Sequence, residues 1–210
     1  MADASEFQEL PIDPEGHVRA RLYGAARPRA GVVMVGGIGV GFDTPAQGLY
    51  PRLGRHLTGD GVDALQVAFR LPGELGEAVL DAGAGVRFLA RRGSTRIALI
   101  GHAFGGAVVI RTGAALPEVA AVVTLATQSY GTDRVRELAG RPVLLVHGVD
   151  DEILPADCSV QVFERSGEPK ELRLIPAARH VLDEAADEVY RIVHGFLVQH
   201  LLDEAAVHPT

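Results

Sequence analysis

The sequence predicts an α/β fold: a three-layer sandwich in which helices cover both faces of a mostly parallel, twisted sheet of about six to eight strands. Strand-like and helix-like segments alternate from residue 31 to about residue 202. The strand segments are continuous apolar runs, as strands buried on both faces require. One of them passes through a glycine-rich turn directly into a helix, within residues 96–107.

The strands are recognised as short apolar runs bounded by turn residues. Two segments near the N-terminus, 5–10 and 17–23, predict a hairpin around the turn PIDPEG, and residues 1–24 form this N-terminal unit. The core, residues 31–202, follows in the same single domain of residues 1–210. Its strands are predicted over residues 31–35, 62–69, 96–100, 119–126, 142–148 and 171–176.

The helices are recognised by apolar residues at one-turn spacing, such as Leu49, Leu53 and Leu57. In the second helix Gly83 and Gly85 lower the intrinsic helicity, so we expect close packing against the sheet there. The helices are predicted over residues 46–58, 74–92, 104–115, 156–166 and 184–202.

Composition restricts the partners of the protein. The 210 residues carry a formal net charge of -7, Lys170 is the only lysine, and no cluster of basic residues forms the footprint that nucleic acid needs. The single cysteine, Cys158, excludes an intramolecular disulfide and suits a reducing compartment. We see neither a signal peptide nor an apolar run long enough to span a membrane. These features predict a cytoplasmic protein with no membrane partner; the oligomeric state stays open, with a homodimer as one possibility.

The turn at residues 101–105 has the sequence Gly-His-Ala-Phe-Gly between a predicted strand and a predicted helix. Glycines two positions before and after the centre permit close approach and unusual backbone angles. The pattern resembles the G-x-S-x-G nucleophile elbow of the α/β-hydrolases, with Ala103 where the elbow holds its serine. The chain therefore lacks the atom with which a serine hydrolase attacks.

Two later segments strengthen this resemblance. LLVHGVDDEILP places Asp151 after a strand, with Asp150 as the neighbouring alternative, and IPAARH places His180 in the loop before the last helix. The order nucleophile, acid, histidine is that of the α/β-hydrolase superfamily. The chain resembles its small, lidless, dienelactone-hydrolase-like branch over residues 31 to about 200, because the segment between Ala126 and Pro142 has no room for a helical lid domain.

The resemblance implies a role for each of these residues. His180 would be the general base, and Asp151 would fix its tautomer and stabilise the imidazolium. The backbone N–H groups of Phe104 and Ile38 would form the oxyanion hole. The implied substrate is a small ester, lactone or thioester, with no cofactor and no metal. Structural alternatives stay open: His180 could be an ordinary loop histidine, and either acid could cap the helix that begins near Pro155.

A second group of residues could line the substrate site. Arg70 follows a strand at the edge where such sheets bind ligands, although a salt bridge is the simpler role. His102 neighbours the elbow and could be purely structural, and Cys158 is most simply a small buried residue. None of the remaining histidines shows metal-ligand spacing. The full set of substrate-site candidates is Gly37, Tyr50, Arg70, His102, Thr127 and the segment 127–130.

Ala103 has three competing explanations. The chain could be a hydrolase with an inactivating, engineered Ser→Ala substitution. It could be a natural non-hydrolytic enzyme (a lyase, isomerase or cyclase) that uses His180 as a base. It could also be a binding protein that kept the pocket and lost the reaction. The first explanation is favoured, because the remaining catalytic residues are all present.

Overall fold

A computed structural model describes residues 7–202, and within this range eight strands form one sheet. The predicted first strand, 5–10, starts outside the described residues and is seen from residue 8. The strands are β1 (Gln8–Pro11), β2 (Arg19–Tyr23), β3 (Ala30–Val35), β4 (Val62–Val67), β5 (Arg96–His102), β6 (Val119–Leu125), β7 (Val143–Gly148) and β8 (Lys170–Ile175). The core strands β3, β4 and β7 consist entirely of buried side chains, and β5 and β6 almost entirely, which explains their apolar sequences. The last strand is only partly buried, so the expectation of burial on both faces is wrong for this edge strand.

The sheet has the order β1-β2-β4-β3-β5-β6-β7-β8. β1 pairs with β2, and β2 with β4, in antiparallel fashion; every later neighbour is parallel. The strand order reverses around β3, which lies between β4 and β5. In such sheets ligands bind outside the carboxyl ends of the strands near this reversal, so the topology itself points to the loops after β3 and β5.

The helices cover both faces of the sheet and confirm the three-layer prediction. Side chains from α2, α3 and α4 belong to one apolar core, and those from α1 and α5 to the other. Between β6 and β7 there is one short 3-10 helix, Asp133–Leu138, and no inserted lid. The helices are α1 (Leu49–Leu57), α2 (Leu75–Arg91), α3 (Phe104–Ala115), α4 (Asp157–Arg165) and α5 (Ala186–Leu202).

Helix α1 begins three residues later than its apolar spacing predicts. Ala46, Gln47 and Gly48 all have positive φ, at 51°, 51° and 88°, which is the left-handed region and cannot continue into a right-handed helix. Thr44 Oγ1 instead accepts a hydrogen bond from the Tyr50 N–H at 3.0 Å, in the first turn of the helix. The site-facing loop after β3 is therefore longer than expected.

The two glycines of α2 lie against different neighbours. A Cβ on Gly85 would lie 3.1 Å from both Val33 and Val67, so this glycine permits the close packing on the sheet that we expected. A Cβ on Gly83 would instead meet Arg87 at 3.3 Å and Leu116 at 3.7 Å, away from the sheet. The prediction is thus confirmed for Gly85 and wrong for Gly83.

No helix within the described range is long and apolar enough to cross a membrane.

A substitution of Gly54 in α1 tests how tightly side chains pack in the apolar core that contains α1 and α5. A Cβ at this position would lie 2.4–2.8 Å from ring atoms of Tyr23, which is buried. We expect Gly54→Ala to lower the free energy of unfolding by about 1–3 kcal/mol, because overpacking outweighs the gain in helix propensity. The measurement is urea denaturation of the variant and the parent.

The matched control is Gly195→Ala in α5, where a Cβ would meet nothing within 4 Å. There the propensity gain stands alone, and we expect a stabilisation of up to about 1 kcal/mol. Equal effects of the two substitutions would contradict the packing explanation.

Candidate active site

The turn between β5 and α3 holds Ala103 in a conformation that alanine rarely adopts, with φ 51° and ψ -113°. Such a backbone costs about 1–3 kcal/mol and persists only where the surroundings impose it. The Ala103 N–H donates to the Leu125 carbonyl at 2.9 Å, and the Ala103 carbonyl accepts from the Gly106 N–H at 3.0 Å. The neighbouring strand and the first turn of α3 therefore fix the elbow from both sides.

The glycines around Ala103 are required by contact with backbone atoms. A Cβ on Gly101 would lie 2.0 Å from the Gly105 carbonyl oxygen, and a Cβ on Gly105 would lie 2.3 Å from the Gly36 carbonyl oxygen. Neither clash could be relieved by a side-chain rotation. The elbow is consequently packed directly against the loop that follows β3.

The loops after β7 and β8 bring a carboxylate and a histidine together. His180 Nδ1 lies 2.9 Å from Asp151 Oδ2, while Asp151 Oδ1 accepts hydrogen bonds from the Ile153 and Leu154 N–H groups, each at 2.8 Å. Because a carboxylate can only accept, Nδ1 carries the proton and Nε2 is left as the basic nitrogen. Asp150 is exposed and has its backbone N–H bonded to Ala178, so Asp151 is the acid that pairs with His180.

The environment of Asp151 keeps it ionised. Burial alone would raise the pKa of this carboxyl group, but the hydrogen bonds from Leu154, His180 and Ile153 outweigh burial and hold the pKa below its usual value of 3.8. The carboxylate is therefore negative at neutral pH and available to stabilise a protonated His180.

A second histidine binds the same carboxylate, and the sequence analysis missed it. His147, at the end of β7, places Nε2 3.0 Å from Asp151 Oδ2 and Nδ1 2.7 Å from Ser159 Oγ. In the sequence, His147 is only one of the histidines without metal-ligand spacing. Its position four residues before Asp151, at the carboxyl end of a strand, was the available signal.

His102 supports the opposite side of His180. Its Nε2 donates to the His180 carbonyl oxygen at 3.0 Å, and the two rings lie 4.9 Å apart, centroid to centroid. His102 is 3% exposed, and burial lowers its pKa, so the ring is neutral. Its Nδ1 is buried without a hydrogen-bond partner among the described residues. The structure thus gives His102 a positioning role beside the elbow.

The loop after β3, which holds one of the two expected oxyanion donors, approaches the elbow closely. A Cβ on Gly37 would lie 3.7 Å from Ala103 Cβ. Phe104 is the first residue of α3, where a backbone N–H has no partner within the helix. Ile38, whose N–H is the second expected donor, lies in the exposed part of the same loop.

Asp43 is a further residue of this region that the sequence analysis missed. Its Oδ2 would lie 3.9 Å from a Cβ on Gly37, the same point that lies 3.7 Å from both Ala103 Cβ and His102 Nδ1. Its own carbonyl oxygen accepts a hydrogen bond from Gln66 at 3.0 Å. A carboxylate therefore stands near the elbow in addition to Asp151.

Three of the substrate-site candidates have structural partners. Arg70 donates to Asp81 at 2.5 Å and to Glu77 at 3.1 Å, which is the salt bridge that we considered the simpler role. Tyr50 is fully buried and donates to the Val35 carbonyl at 2.8 Å. Thr127 is also fully buried and packs against Gly106, where a Cβ would lie 2.1 Å from its Oγ1. Of the other candidates, Gly37 lies beside Ala103 and His102 directly precedes it.

Exposed apolar side chains follow several strands of the sheet. Within residues 7–202, most of the large apolar side chains that are exposed lie in loops after the carboxyl ends of the strands. A cavity of about 650 Å³ lies elsewhere, between β8 and α5, and holds none of the candidate catalytic residues. We call these side chains, which follow β3, β4, β6, β7 and β8, the apolar rim: Ile38, Val40, Leu71, Tyr130, Val149, Ile153 and Val181.

Histidine, cysteine, aspartate and glutamate side chains occur throughout the part of the chain that the structure describes. No group of three or more histidine, cysteine, aspartate or glutamate residues there is arranged to hold a metal ion. Asp151, His147 and His180 do lie together, but their contacts are hydrogen bonds that account for each nitrogen facing the carboxylate.

Stability measurements can test whether Asp151, rather than the adjacent Asp150, is the acid that pairs with His180. We expect Asp151→Asn to lower the free energy of unfolding at pH 7 by about 1–3 kcal/mol, because an amide cannot accept all of these hydrogen bonds. Since the pKa of Asp151 is depressed in the folded protein, its contribution is present above the unfolded pKa and is lost as the pH falls through the folded pKa. The gap between variant and parent should therefore shrink as urea denaturation is repeated toward about pH 3.

Asp150→Asn provides the comparison, since this side chain is exposed. It should change stability by no more than about 0.5 kcal/mol. An Asp150 effect as large as that of Asp151 would contradict the assignment of the acid.

Comparisons with known proteins identify the fold. No family model and no curated protein sequence matches the chain. Many solved structures do match it closely. Est1E from Butyrivibrio proteoclasticus is 18% identical with a TM-score of 0.79, over 95% of this chain and 100% of that one. Dienelactone hydrolase from Anabaena variabilis is 17% identical with a TM-score of 0.79, over 93% and 99%.

A third match is esterase 2 from Thermogutta terrifontis, phosphorylated by paraoxon, which is 16% identical with a TM-score of 0.76 over 96% of this chain and 98% of that one. These similarities extend over nearly the whole of both chains, and the low identity limits what they show to the fold. The fold implied by the sequence motifs is therefore confirmed: the chain has the α/β-hydrolase fold, in a small form without a lid domain.

Proposed function

We propose that the protein is a serine-hydrolase-type enzyme for small carboxylic esters, lactones or thioesters, in a form whose nucleophile position is occupied by alanine. The observation that carries this proposal is the strained Ala103 backbone beside a complete His180–Asp151 pair. A strained elbow has a stability cost, and the fold alone does not need a histidine–carboxylate pair at this point. Their combination is what a serine at residue 103 would require.

With a serine at residue 103, each group has a definite step. His180 Nε2 takes the hydroxyl proton while the serine oxygen attacks the substrate carbonyl carbon. The resulting oxyanion receives hydrogen bonds from the Phe104 and Ile38 N–H groups. His180 then returns the proton to the leaving alcohol or thiol, and the same base activates a water that hydrolyses the acyl-enzyme. Asp151 stays ionised throughout and stabilises the imidazolium.

The alanine methyl group cannot attack a carbonyl, so the chain as written does not form an acyl-enzyme. A substrate that binds beside Ala103 would remain intact. We attribute this state to an inactivating Ser→Ala substitution in a cytoplasmic hydrolase, in keeping with the single cysteine and the acidic composition.

A second candidate function follows from the base that remains. His180 keeps its carboxylate partner although there is no hydroxyl for it to deprotonate. Such a base could remove a proton next to a substrate carbonyl, with the same N–H groups stabilising an enolate, which is lyase, isomerase or cyclase chemistry. An activity of the chain as written that disappears in His180→Ala would favour this candidate; ligand binding without turnover would instead indicate a binding protein.

The charges near the site favour a neutral substrate. Arg70 and Arg179, the arginines in the loops after β4 and β8, are each already paired with carboxylates. Asp43, Asp150 and Glu152 add negative charge around the site, and the rim is apolar. An anionic acyl group would meet repulsion without a free cation in these loops to offset it.

Restoring the hydroxyl tests the proposed hydrolase. We expect Ala103→Ser to hydrolyse p-nitrophenyl butyrate at least about a thousand-fold faster than the parent chain, because the base and the elbow are already in place. The measurement is the steady-state release of p-nitrophenol.

The matched control is the double variant Ala103→Ser/His180→Gln, which keeps the hydroxyl and removes the base. It should lose most of the gain. A folded Ala103→Ser protein that is no faster than the parent on any ester, lactone or thioester tested would overturn the proposal.

Substrate charge gives a separate test in the Ala103→Ser variant. The first substrate is the p-nitrophenyl monoester of glutarate, which carries a free carboxylate, and the second is the mixed methyl p-nitrophenyl diester, in which that carboxylate is a methyl ester. We expect kcat/KM for the first to be about ten-fold or more below that for the second. The two substrates match in length and leaving group, so the difference reports charge. Equal values, or a preference for the carboxylate, would contradict the expectation of a neutral substrate.

A further inference from the structure

Asp151 binds two histidines through the same oxygen. Oδ2 lies 2.9 Å from His180 Nδ1 and 3.0 Å from His147 Nε2. The other oxygen, Oδ1, accepts the two backbone N–H groups of Ile153 and Leu154. The carboxylate therefore has four hydrogen-bond donors, and one of them is a side chain to which the proposed reaction assigns no step.

The partners of His147 determine its tautomer. Nε2 faces two acceptors, Asp151 Oδ2 and the Leu154 carbonyl oxygen, both at 3.0 Å, so Nε2 carries the hydrogen. Nδ1 is then the acceptor for the Ser159 hydroxyl at 2.7 Å. The His147 side chain is fully buried, and burial lowers its pKa. His147 is thus a neutral hydrogen-bond donor to the carboxylate at neutral pH.

A donor that shares Oδ2 has a definite electrostatic effect. Each hydrogen bond to a carboxylate stabilises its negative charge and reduces its attraction for a further positive group. The N–H of His147 therefore weakens the pull of Asp151 on a proton at His180, while it holds Oδ2 in place. Loss of that N–H would leave more charge for His180 and one lone pair without its partner.

We propose that His147 is a positioning residue of the site, which holds Asp151 Oδ2 and keeps the proton affinity of His180 below the value that an unshared carboxylate would impose. The description of His180 as a catalytic base rests on the proposed function. The coupling between the two histidines through Asp151 does not, because it concerns only the protonation of His180.

The other charged and titratable groups near His180 form their contacts with residues other than His147. His102 contacts the His180 ring and main chain from the end of β5, with Asp43 beyond it. Arg179, the preceding residue, is paired with Glu184. None of these four residues bonds to His147, so a substitution of His147 reaches His180 through Asp151.

The test is an NMR titration of the His180 ring in the chain as written, with Ala103 in place. We expect His147→Leu, which removes the N–H and keeps an apolar side chain of similar size, to raise the midpoint by about half a pH unit or more. This corresponds to about three-fold tighter proton binding. His147→Gln can still donate to Oδ2 through its amide and should recover at least half of the shift.

Ser159→Ala is the matched control, since it removes the partner of His147 Nδ1 and leaves the Nε2–H in place. It should move the midpoint by less than about 0.2 pH unit, a small fraction of the shift expected for His147→Leu. An unchanged or lowered midpoint in a folded His147→Leu protein would overturn the proposal. If that variant does not fold, an unchanged midpoint in His147→Ala, which also lacks the donor, would do so.

The same substitution in the Ala103→Ser chain separates this inference from the proposed function. If both are right, the acidic limb of the kcat/KM profile moves to higher pH together with the NMR midpoint. If the NMR midpoint moves and Ala103→Ser is inactive, the coupling stands and the proposed hydrolase fails. If Ala103→Ser is active and neither limb nor midpoint moves, His147 is merely structural and this inference is wrong.

Discussion

The strained backbone of Ala103 is the constraint on which the rest of the site depends. A residue with φ 51° and ψ -113° turns the chain from β5 into α3 and points its Cβ toward the loop after β3. The strain of about 1–3 kcal/mol is tolerated because the elbow follows an almost fully buried β5, which pairs with β6, and is hydrogen-bonded to Leu125 of β6. Gly101 and Gly105 then supply the close contacts between backbone atoms that no other residue permits.

The loops at the carboxyl edge of the sheet build outward from this point. β3 contributes the candidate oxyanion loop, β7 the carboxylate and β8 the histidine, because parallel strands end at the same edge. Asp151 joins the last two of these loops, and His102 ties the His180 main chain back to the elbow. The arrangement forms a connected set of hydrogen bonds, from Ser159 through His147, Asp151 and His180 to His102.

The sequence predicts the fold well because strands buried on both faces must be continuously apolar, and the helices between them must repeat their apolar residues every turn. The expected pairing of Asp151 with His180 rests on the order of the motifs along the chain, which is the order found in the α/β-hydrolases. The late start of α1 could not be predicted, since it depends on the positive φ angles of Ala46 and Gln47.

The hydrogen-bond partners and the burial of polar groups also could not be predicted from the sequence. Thr127 and Tyr50 occupy positions where a substrate contact was plausible, yet both are fully buried, and burial is decided by neighbours distant in sequence. His147 and Ser159 become partners only because α4 packs beside β7. Patterns along the chain identify residue types at an edge of a sheet, and packing decides which of them touch.

The most direct test of the account is whether residue 103 becomes a nucleophile when it is given a hydroxyl. The Ala103→Ser protein should be treated with a fluorophosphonate, and the modified residue located by peptide mass spectrometry. The account predicts stoichiometric modification at residue 103, with no modification there in the parent chain or after removal of the His180 base. A folded Ala103→Ser protein that remains unmodified would contradict the claim that the site is built to activate a serine.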